Sequence, residues 1–241
     1  MPYVLSGIIH SELPGLWGEG APYTHSSIYE ISNPAHPPVN YSAHTLKPHS
    51  IPHIDAPRHV MPDGATVEEF FSGDKLRSFY GPVVVLKLSG SRWEAVSGMQ
   101  GTKVWRVTRQ EIEQGLERLG VKGIPEKLLI TAEDTPLNEQ GLHDPNYVLV
   151  LAQETARWLV SSSGFNAYGT SWKSSDFEPG SRERPVHKIL LAQALLFECL
   201  KLDHVPEGRY FFSGFPLTLA GASESPLTAV LYTKDELKAL A

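Results

Sequence analysis

The sequence predicts one α/β domain over residues 1–241, built from a mixed β-sheet with flanking helices. From Gly81 onward, apolar segments typical of strands alternate with segments that carry an apolar stripe at helical spacing. The length of 241 residues suits one large domain, and we find no internal repeat or low-complexity segment. The hydrophobic fraction of 41% and the charged fraction of 20% are ordinary for a globular protein.

The first half of the chain changes character near Gly81. Residues 1–60 are rich in Pro, Gly and His, so we expect them to wrap over a surface or line a site. Residues 82–88 begin as an almost unbroken apolar run, which predicts a central strand. Thr108 and Glu111 have the spacing of a capping box, and the apolar stripe that follows predicts a helix. Residues 127–131 predict a second buried strand.

The second half continues the alternation of strands and helices. Further helices are predicted at residues 152–160, 185–200 and 235–240, with Pro185 in the first turn of the second. Short strands are predicted at residues 166–171, 209–212, 216–219 and 227–232. This order favours an α/β fold with a mixed sheet.

Composition and charge argue against several classes of function. The net charge of -6, from 21 Lys and Arg against 27 Asp and Glu, argues against a nucleic-acid surface, which needs clustered positive charge. The single cysteine, Cys199, excludes an intramolecular disulfide, and we expect it to be inert packing inside the helix at 185–200. We see no signal peptide and no apolar run long enough to cross a bilayer. We therefore expect a cytoplasmic protein that binds neither nucleic acid nor membranes.

Histidines are concentrated in one short segment. Five of the ten lie within 24 residues, at positions 36, 44, 49, 53 and 59. The densest part has the pattern H-x3-H-x-D-x3-H, from His49 to His59. In an extended chain His53 and Asp55 would point the same way about 7 Å apart, and His49 and His59 share their parity. Because Pro52 and Pro57 interrupt strand pairing, we expect an edge strand or a loop.

This spacing predicts a metal site. Two imidazoles and a carboxylate suit Zn²⁺, and also Mn²⁺ or Fe²⁺. Three protein ligands leave one coordination position open for water, which is the arrangement of catalytic sites. A single histidine is more often a surface or hydrogen-bonded core residue, but several histidines and an aspartate with shared parity favour metal binding. His36 and His44 fall outside the pattern and are expected to be structural.

The same segment resembles the signature of the cyclase family of metal-dependent hydrolases, which includes bacterial kynurenine formamidase and isatin hydrolase. Every ionisable position of the family pattern H-T-G-T-H-x-D-x-P-x-H is present here. Segments that resemble other family motifs follow in order along nearly the whole chain. Residues 17–23 resemble W-P-G-D-x-P-F, residues 169–176 resemble G-x-D-x-x-S-x-D, residues 187–200 resemble H-x-x-L-L followed by E-N-L, and residues 221–226 resemble G-x-x-x-S-P. The resemblance implies a swivelling β/β/α-like fold.

The resemblance also implies roles for residues of the histidine segment. His49, His53 and Asp55 would bind a first metal ion, and His59 would transfer protons. In members with two ions, Asp55 would bridge the first ion to the second.

Three more distant residues complete the site that the resemblance implies. His187 and Glu198 would hold the second ion; they are 11 residues apart, which places them on one face of the predicted helix. Trp17 would line the substrate pocket. Without the resemblance, His187 would be interpreted as a surface residue, Glu198 as solvent-facing and Trp17 as an aromatic core residue.

The expected function is hydrolysis of an amide or cyclic amide, a C–N bond other than a peptide bond, in a small-molecule substrate. One or two divalent ions per chain are expected, Zn²⁺ or alternatively Mn²⁺, in a homodimer or homotetramer. The alternatives are a lactone or ester hydrolase on the same site, or a metal-binding relic without catalysis. The chain departs from the family at Ser50-Ile51-Pro52, which replaces Thr-Gly-Thr, at Ser171, which replaces Asp, and at Cys199, which replaces Asn.

Overall fold

A computed structural model describes residues 1–138, 143–177 and 183–239. The α-helices of these residues are α1 (Arg109–Arg118), α2 (Gln153–Val160), α3 (Pro185–Leu191) and α4 (Lys234–Lys238). The strands are β1 (Tyr3–Val4), β2 (Tyr23–Tyr29), β3 (Tyr41–Leu46), β4 (His53–Asp55), β5 (Tyr80–Leu88), β6 (Glu94–Ala95), β7 (Lys103–Val107), β8 (Lys127–Ala132), β9 (Tyr147–Leu151), β10 (Ala167–Thr170), β11 (Leu195–Glu198), β12 (Gly208–Pro216) and β13 (Glu224–Tyr232).

Eight strands form the main sheet, in the order β1-β13-β12-β5-β8-β10-β11-β4. The strands β5, β8, β10 and β11 are parallel, and the other neighbours are antiparallel. The short strand β4 pairs with β11 on one side and with β13 on the other, so the strands from β13 to β4 close into a ring. The predicted α/β fold with a mixed sheet is confirmed.

Two smaller sheets flank this ring. The strands β6, β7 and β9 form one of them, and β2 and β3 form an antiparallel hairpin. The hairpin lies in the segment for which the sequence indicated only irregular structure. Its side chains are almost all exposed, so the alternation of buried and exposed residues that identifies a half-buried strand is missing there.

The core has two parts, one on each face of the main sheet. Along β5, Val83 and Val85 point into the ring, whereas Val84 and Leu86 point outward beneath the helices. Both faces of the strand are therefore buried, which explains its unbroken apolar sequence. As predicted, β5 is central and lies between β12 and β8.

The predicted capping box at Thr108 is present at the start of α1. The Thr108 side chain accepts a hydrogen bond from the Glu111 amide, and the Thr108 amide donates to the Glu111 carboxylate at 2.8 Å. The helix buries Ile112 and Leu116 against the outer face of the sheet. The capping box therefore satisfies two backbone amides at this end of the helix, those of Thr108 and Glu111.

The predicted helix at residues 185–200 is wrong in its second half. Helix α3 ends at Leu191, and the chain then forms β11, which pairs in parallel with β10. Every residue of β11 is buried. When a short apolar run is buried on both faces, its hydrophobic pattern does not distinguish a strand from a buried helix. Here the pairing with β10 in the sheet makes this run a strand.

Two smaller predictions also need correction. The strand expected at residues 216–219 does not form, because β12 runs without a break from Gly208 to Pro216 and ends there. The terminal helix is present as α4, but the last residues predicted for it, from 240 onward, lie outside the described residues. No helix in the described ranges is both long and apolar enough to span a membrane.

Candidate metal centre

Strand β4 places two of the predicted ligands side by side. Ile54 points into the ring core, so His53 and Asp55 both point outward, as their parity predicts. Both side chains are fully buried. The expectation of an edge strand or loop is wrong: Pro52 and Pro57 lie just outside this three-residue strand, so it pairs on both sides.

His49 and His59 reach the same place from short turns rather than from an extended chain. His49 lies on the 3₁₀ turn Pro48–Ser50 and His59 on the 3₁₀ turn Pro57–His59. Their ring centroids are 4.6 Å apart, and His49 Nδ1 lies 3.0 Å from His53 Nε2. The structure thus gathers all three histidines of the segment around one carboxylate.

Asp55 is the centre of this group. Its Oδ1 lies 3.6 Å from His53 Nε2 and 3.7 Å from His49 Nδ1, and its Oδ2 lies 4.0 Å from His59 Nε2. Both oxygens are buried, and neither has a hydrogen-bond partner within the described part of the chain. A buried carboxylate without partners is costly, and a bound cation would satisfy it.

His187 joins the group from helix α3. Its Nε2 lies 3.7 Å from Asp55 Oδ2 and 3.4 Å from Glu198 Oε1. Its Nδ1 donates a hydrogen bond of 2.7 Å to Asp176, which also accepts from the backbone amides of Val186 and His187. Asp176 therefore fixes the ring with Nε2 facing the carboxylates, an arrangement typical of metal-binding histidines.

Glu198 reaches the site from β11, not from the helix on which it was predicted. It is buried; its Oε2 lies 3.8 Å from His53 Nε2, and its Oε1 accepts a hydrogen bond of 2.6 Å from Ser175. Cys199 follows directly with a left-handed φ of 59°, so it is not in the middle of a helix as expected. Burial raises the pKa of its thiol well above the ordinary value, so the reactive thiolate form is disfavoured.

The sequence interpretation missed Glu224 as a site residue. Its Cα pairs with that of Asp55 across β13 and β4, so the two side chains lie on one face of the sheet. Its Oε2 lies 3.9 Å from His49 Nε2 and 3.9 Å from His59 Nδ1. A carboxylate inside the closing G-x-x-x-S-P motif was a signal that could have identified it.

Electrostatics in the cluster reflect its buried carboxylates. Burial alone would raise the pKa of Asp55, but the surrounding imidazoles, His53 above all, outweigh burial and hold that pKa below its ordinary value. Burial would lower the pKa of His187, yet Glu198, Asp176 and Asp55 raise it to about 10. Burial and His53 together lower the pKa of His49 to about 4. The carboxylates thus favour positive charge on His187, whereas burial and the neighbouring His53 disfavour it on His49.

The donor atoms fit a divalent cation. One set, His49, Asp55 and His59, has its ligand atoms within 4.8 Å of one another, and so does a second set, His53, Asp55 and Glu198. Asp55 belongs to both. Imidazole nitrogens and carboxylate oxygens are the donors that Zn²⁺ and Mn²⁺ take in proteins.

A cavity of about 410 Å³ opens onto this centre. Its inner end is formed by His49, His59, His187, Glu198 and Glu224. Trp17 lines the outer part; it is 45% exposed and donates a hydrogen bond of 3.1 Å from its indole to the His49 carbonyl. Trp17 is therefore part of the cavity wall rather than of the core.

Comparison with known proteins identifies the family. A family model described as "Putative cyclase" matches residues 11–176, more than half of the chain. The chain belongs to the cyclase family. It is 29% identical over 238 residues to a kynurenine formamidase of Paracidovorax citrulli (strain AAC00-1), covering 97% of both chains. The resemblance inferred from the sequence is thereby confirmed.

Solved structures of similar fold agree. Isatin hydrolase A from Labrenzia aggregata superposes with a TM-score of 0.72 at 20% identity, covering 97% of this chain and 94% of that one. A potential metal-dependent hydrolase with cyclase activity gives a TM-score of 0.67 at 22% identity, covering 96% of both. At these identities the likeness establishes the fold.

Proposed function

We propose that this protein is a metal-dependent hydrolase that cleaves an amide or cyclic amide in a small molecule. The observation that carries the proposal is Asp55, whose two buried oxygens have no hydrogen-bond partner among the described residues and are surrounded by imidazoles. The similarity to kynurenine formamidase supports an amide as the substrate. The cavity that reaches the centre supports catalysis rather than a closed metal-binding relic.

The side chains of this site would divide the work. His49, His53 and Asp55 would hold a first divalent ion, and His187 and Glu198, with Asp55 shared, a second. When bound, such an ion lowers the pKa of a coordinated water to about 7 and polarises a carbonyl oxygen. The Nδ1–H of His53 donates to the Ile51 carbonyl at 2.8 Å, so Nε2, which faces Asp55 and Glu198, is the ring nitrogen that would bind an ion.

His59 would move the protons. It lies at the inner end of the cavity, with Nε2 4.0 Å from Asp55 and its side chain 19% exposed, so a substrate in the cavity can reach it. An imidazole can accept a proton from water and return it to a leaving nitrogen. Glu224 Oε2 lies 3.9 Å from Nδ1, on the other side of the ring.

The proposed function also includes the identity of the bound ion and the oligomeric state of the protein. Zn²⁺ is the ion we propose, with Mn²⁺ as the alternative, at one or two per chain in a cytoplasmic protein. We propose a homodimer or homotetramer, which the exposed apolar side chains of Ile8, Ile31, Tyr41 and Leu217 support. Light scattering coupled to gel filtration measures the assembly.

The test is hydrolysis of formanilide and of isatin by protein purified without chelators. We expect turnover of at least one of them, loss of turnover after treatment with a chelator, and recovery with added Zn²⁺ or Mn²⁺. His59→Gln should lower kcat about 100-fold or more while metal content is kept. The matched control is His204→Gln, an exposed histidine 3.8 Å from Asp203 and away from the cluster. Equal kcat in His59→Gln and wild type would refute the catalytic role of His59.

A further inference from the structure

Two histidines face each other across the exposed hairpin of β2 and β3. His25 on β2 and His44 on β3 are directly paired in its antiparallel register, so their side chains leave the same face of the sheet. Residues that are opposite each other in this way have Cβ atoms about 4.5–5.5 Å apart. Both side chains are exposed. The hairpin therefore presents two imidazoles side by side to solvent.

A tyrosine completes a cluster of three rings on this face. The ring centroid of Tyr23 is 5.9 Å from that of His25 and 5.9 Å from that of His44, and the two imidazole centroids are 6.3 Å apart. A point between the rings is about 3.5 Å from each centroid, and an ion bound to an imidazole nitrogen lies about 3.2 Å from the centroid of that ring. Because the imidazoles are exposed, rotation about their side-chain bonds can turn one nitrogen of each towards a shared ion.

The contact between Tyr23 and His44 selects the nitrogen that would bind the ion. Tyr23 Oη lies 2.9 Å from Nδ1 of His44. A neutral imidazole has one N–H group and one acceptor nitrogen, and a phenol hydroxyl can accept as well as donate. When Nδ1–H donates to the Tyr23 oxygen, Nε2 of His44 carries the lone pair that binds a metal. Metal-binding histidines commonly donate their other N–H group to a neighbouring oxygen in this way.

The ring nitrogens of His25 are available to a ligand. No residue of the described ranges forms a hydrogen bond or an ion pair with its imidazole, which contacts only the other two rings of the cluster. The third histidine of the hairpin differs. His36, in the turn between the strands, accepts a hydrogen bond of 3.0 Å from the Glu30 amide and lies against the Tyr29 ring. His36 is therefore part of the turn, whereas His25 and His44 face solvent together.

We propose that His25 and His44 form a second metal site, which binds a transition-metal ion such as Zn²⁺, Ni²⁺ or Cu²⁺ and which Tyr23 supports through His44. Imidazole nitrogens suit these ions, whereas Mg²⁺ and Ca²⁺ prefer oxygen ligands. Water would fill the remaining coordination positions. Among the described residues that line the cavity over Asp55, none belongs to this cluster. The site is therefore separate from the proposed catalytic centre and does not rest on the proposed function.

The test is calorimetric titration with Ni²⁺ of protein that has been loaded with Zn²⁺ and then desalted. Because only two protein ligands hold it, the hairpin ion should be lost on desalting. We expect Ni²⁺ to bind the hairpin of wild type at one ion per chain, and His25→Gln and His44→Gln each to weaken this binding at least tenfold. Tyr23→Phe keeps the ring and removes the hydroxyl, and should weaken it about 10-fold. The matched control is His204→Gln, because His204 is also exposed and lies beside a tyrosine, Tyr3 at 6.1 Å, but outside the hairpin.

A residue-resolved measurement separates this site from any other nickel-binding group. In proton NMR spectra, paramagnetic Ni²⁺ broadens the signals of the imidazoles that it contacts, and the histidine variants assign those signals. We expect the signals of His25 and His44 to broaden together, at a lower Ni²⁺ concentration than that of His204. A nickel titration that neither His25→Gln nor His44→Gln changes, or broadening of His204 at the same concentration, would overturn the proposal. Both outcomes are independent of turnover at the Asp55 centre.

Discussion

We predict that Asp176 controls metal affinity through His187, and that the variant Asp176→Asn isolates that effect. The Asp176 carboxylate accepts three hydrogen bonds, from His187 Nδ1 at 2.7 Å, the His187 amide at 2.9 Å and the Val186 amide at 2.8 Å. An asparagine has one acceptor oxygen and one NH₂ group, so at least one of these N–H groups would face another donor. The variant therefore cannot reproduce the network that fixes the imidazole.

The size of the effect follows from these contacts. Loss of the hydrogen-bonding partner of a metal-binding histidine lowers metal affinity about 10–100-fold, which is about 1.4–2.7 kcal/mol. The two backbone bonds lie at the first turn of α3, whose amides have no partner within the helix. We therefore also expect the metal-free variant to lose about 1–3 kcal/mol of stability.

A double-mutant cycle separates the two effects. Metal dissociation constants are measured by competition with a chromophoric chelator for wild type, Asp176→Asn, His187→Ala and the double variant. If Asp176 acts through His187, Asp176→Asn should weaken binding in wild type but change it little once His187 is absent. Equal losses in both backgrounds would mean that Asp176 acts on the fold alone, and unchanged affinity in the single variant would refute the reasoning altogether.

Two further predictions concern the frame around the site. Lys127 Nζ is buried without a hydrogen-bond partner among the described residues, and burial lowers its pKa from 10.5 to about 8. Lys127→Met should therefore raise stability in urea by about 1–3 kcal/mol near pH 7. The unfolded chain binds the Lys127 proton more tightly than the folded chain does, so wild-type stability should rise between pH 8 and 10.5. The variant should lack that rise. A variant less stable than wild type near pH 7 would contradict this prediction. A Cβ at Gly64 would lie 2.5 Å from the Pro57 carbonyl carbon, in the turn that carries His59. Gly64→Ala should thus lower both Tm and kcat, and an unchanged kcat would show that the turn does not position His59.

The sequence predicts which side chains cluster around Asp55 better than it predicts the elements that carry them. His49, His53, Asp55 and His59 were grouped as candidate ligands from their spacing, because residues close in sequence lie close in space. Only His53 and Asp55 lie on a strand as the parity argument assumed. The two outer histidines converge because proline-initiated 3₁₀ turns bend the chain on either side of β4.

Residues far apart in sequence were harder to place. His187 and Glu198 do meet, 3.4 Å apart, but from a helix and a strand rather than along one helix. The wrong prediction arose at β11, because its apolar residues are buried on both sides and their pattern fits a strand and a buried helix equally well. Glu224 was missed because its proximity to Asp55 depends on the register between β13 and β4, which local spacing does not encode.

The account depends most directly on whether Asp55 organises a bound metal. The measurement is metal content per chain by elemental analysis, on wild type and on Asp55→Asn purified side by side without chelators. We predict one or two equivalents of Zn²⁺ or Mn²⁺ in wild type and a near-complete loss in the variant, with both proteins folded by circular dichroism. No metal in wild type, or equal metal in the two proteins, would contradict the account.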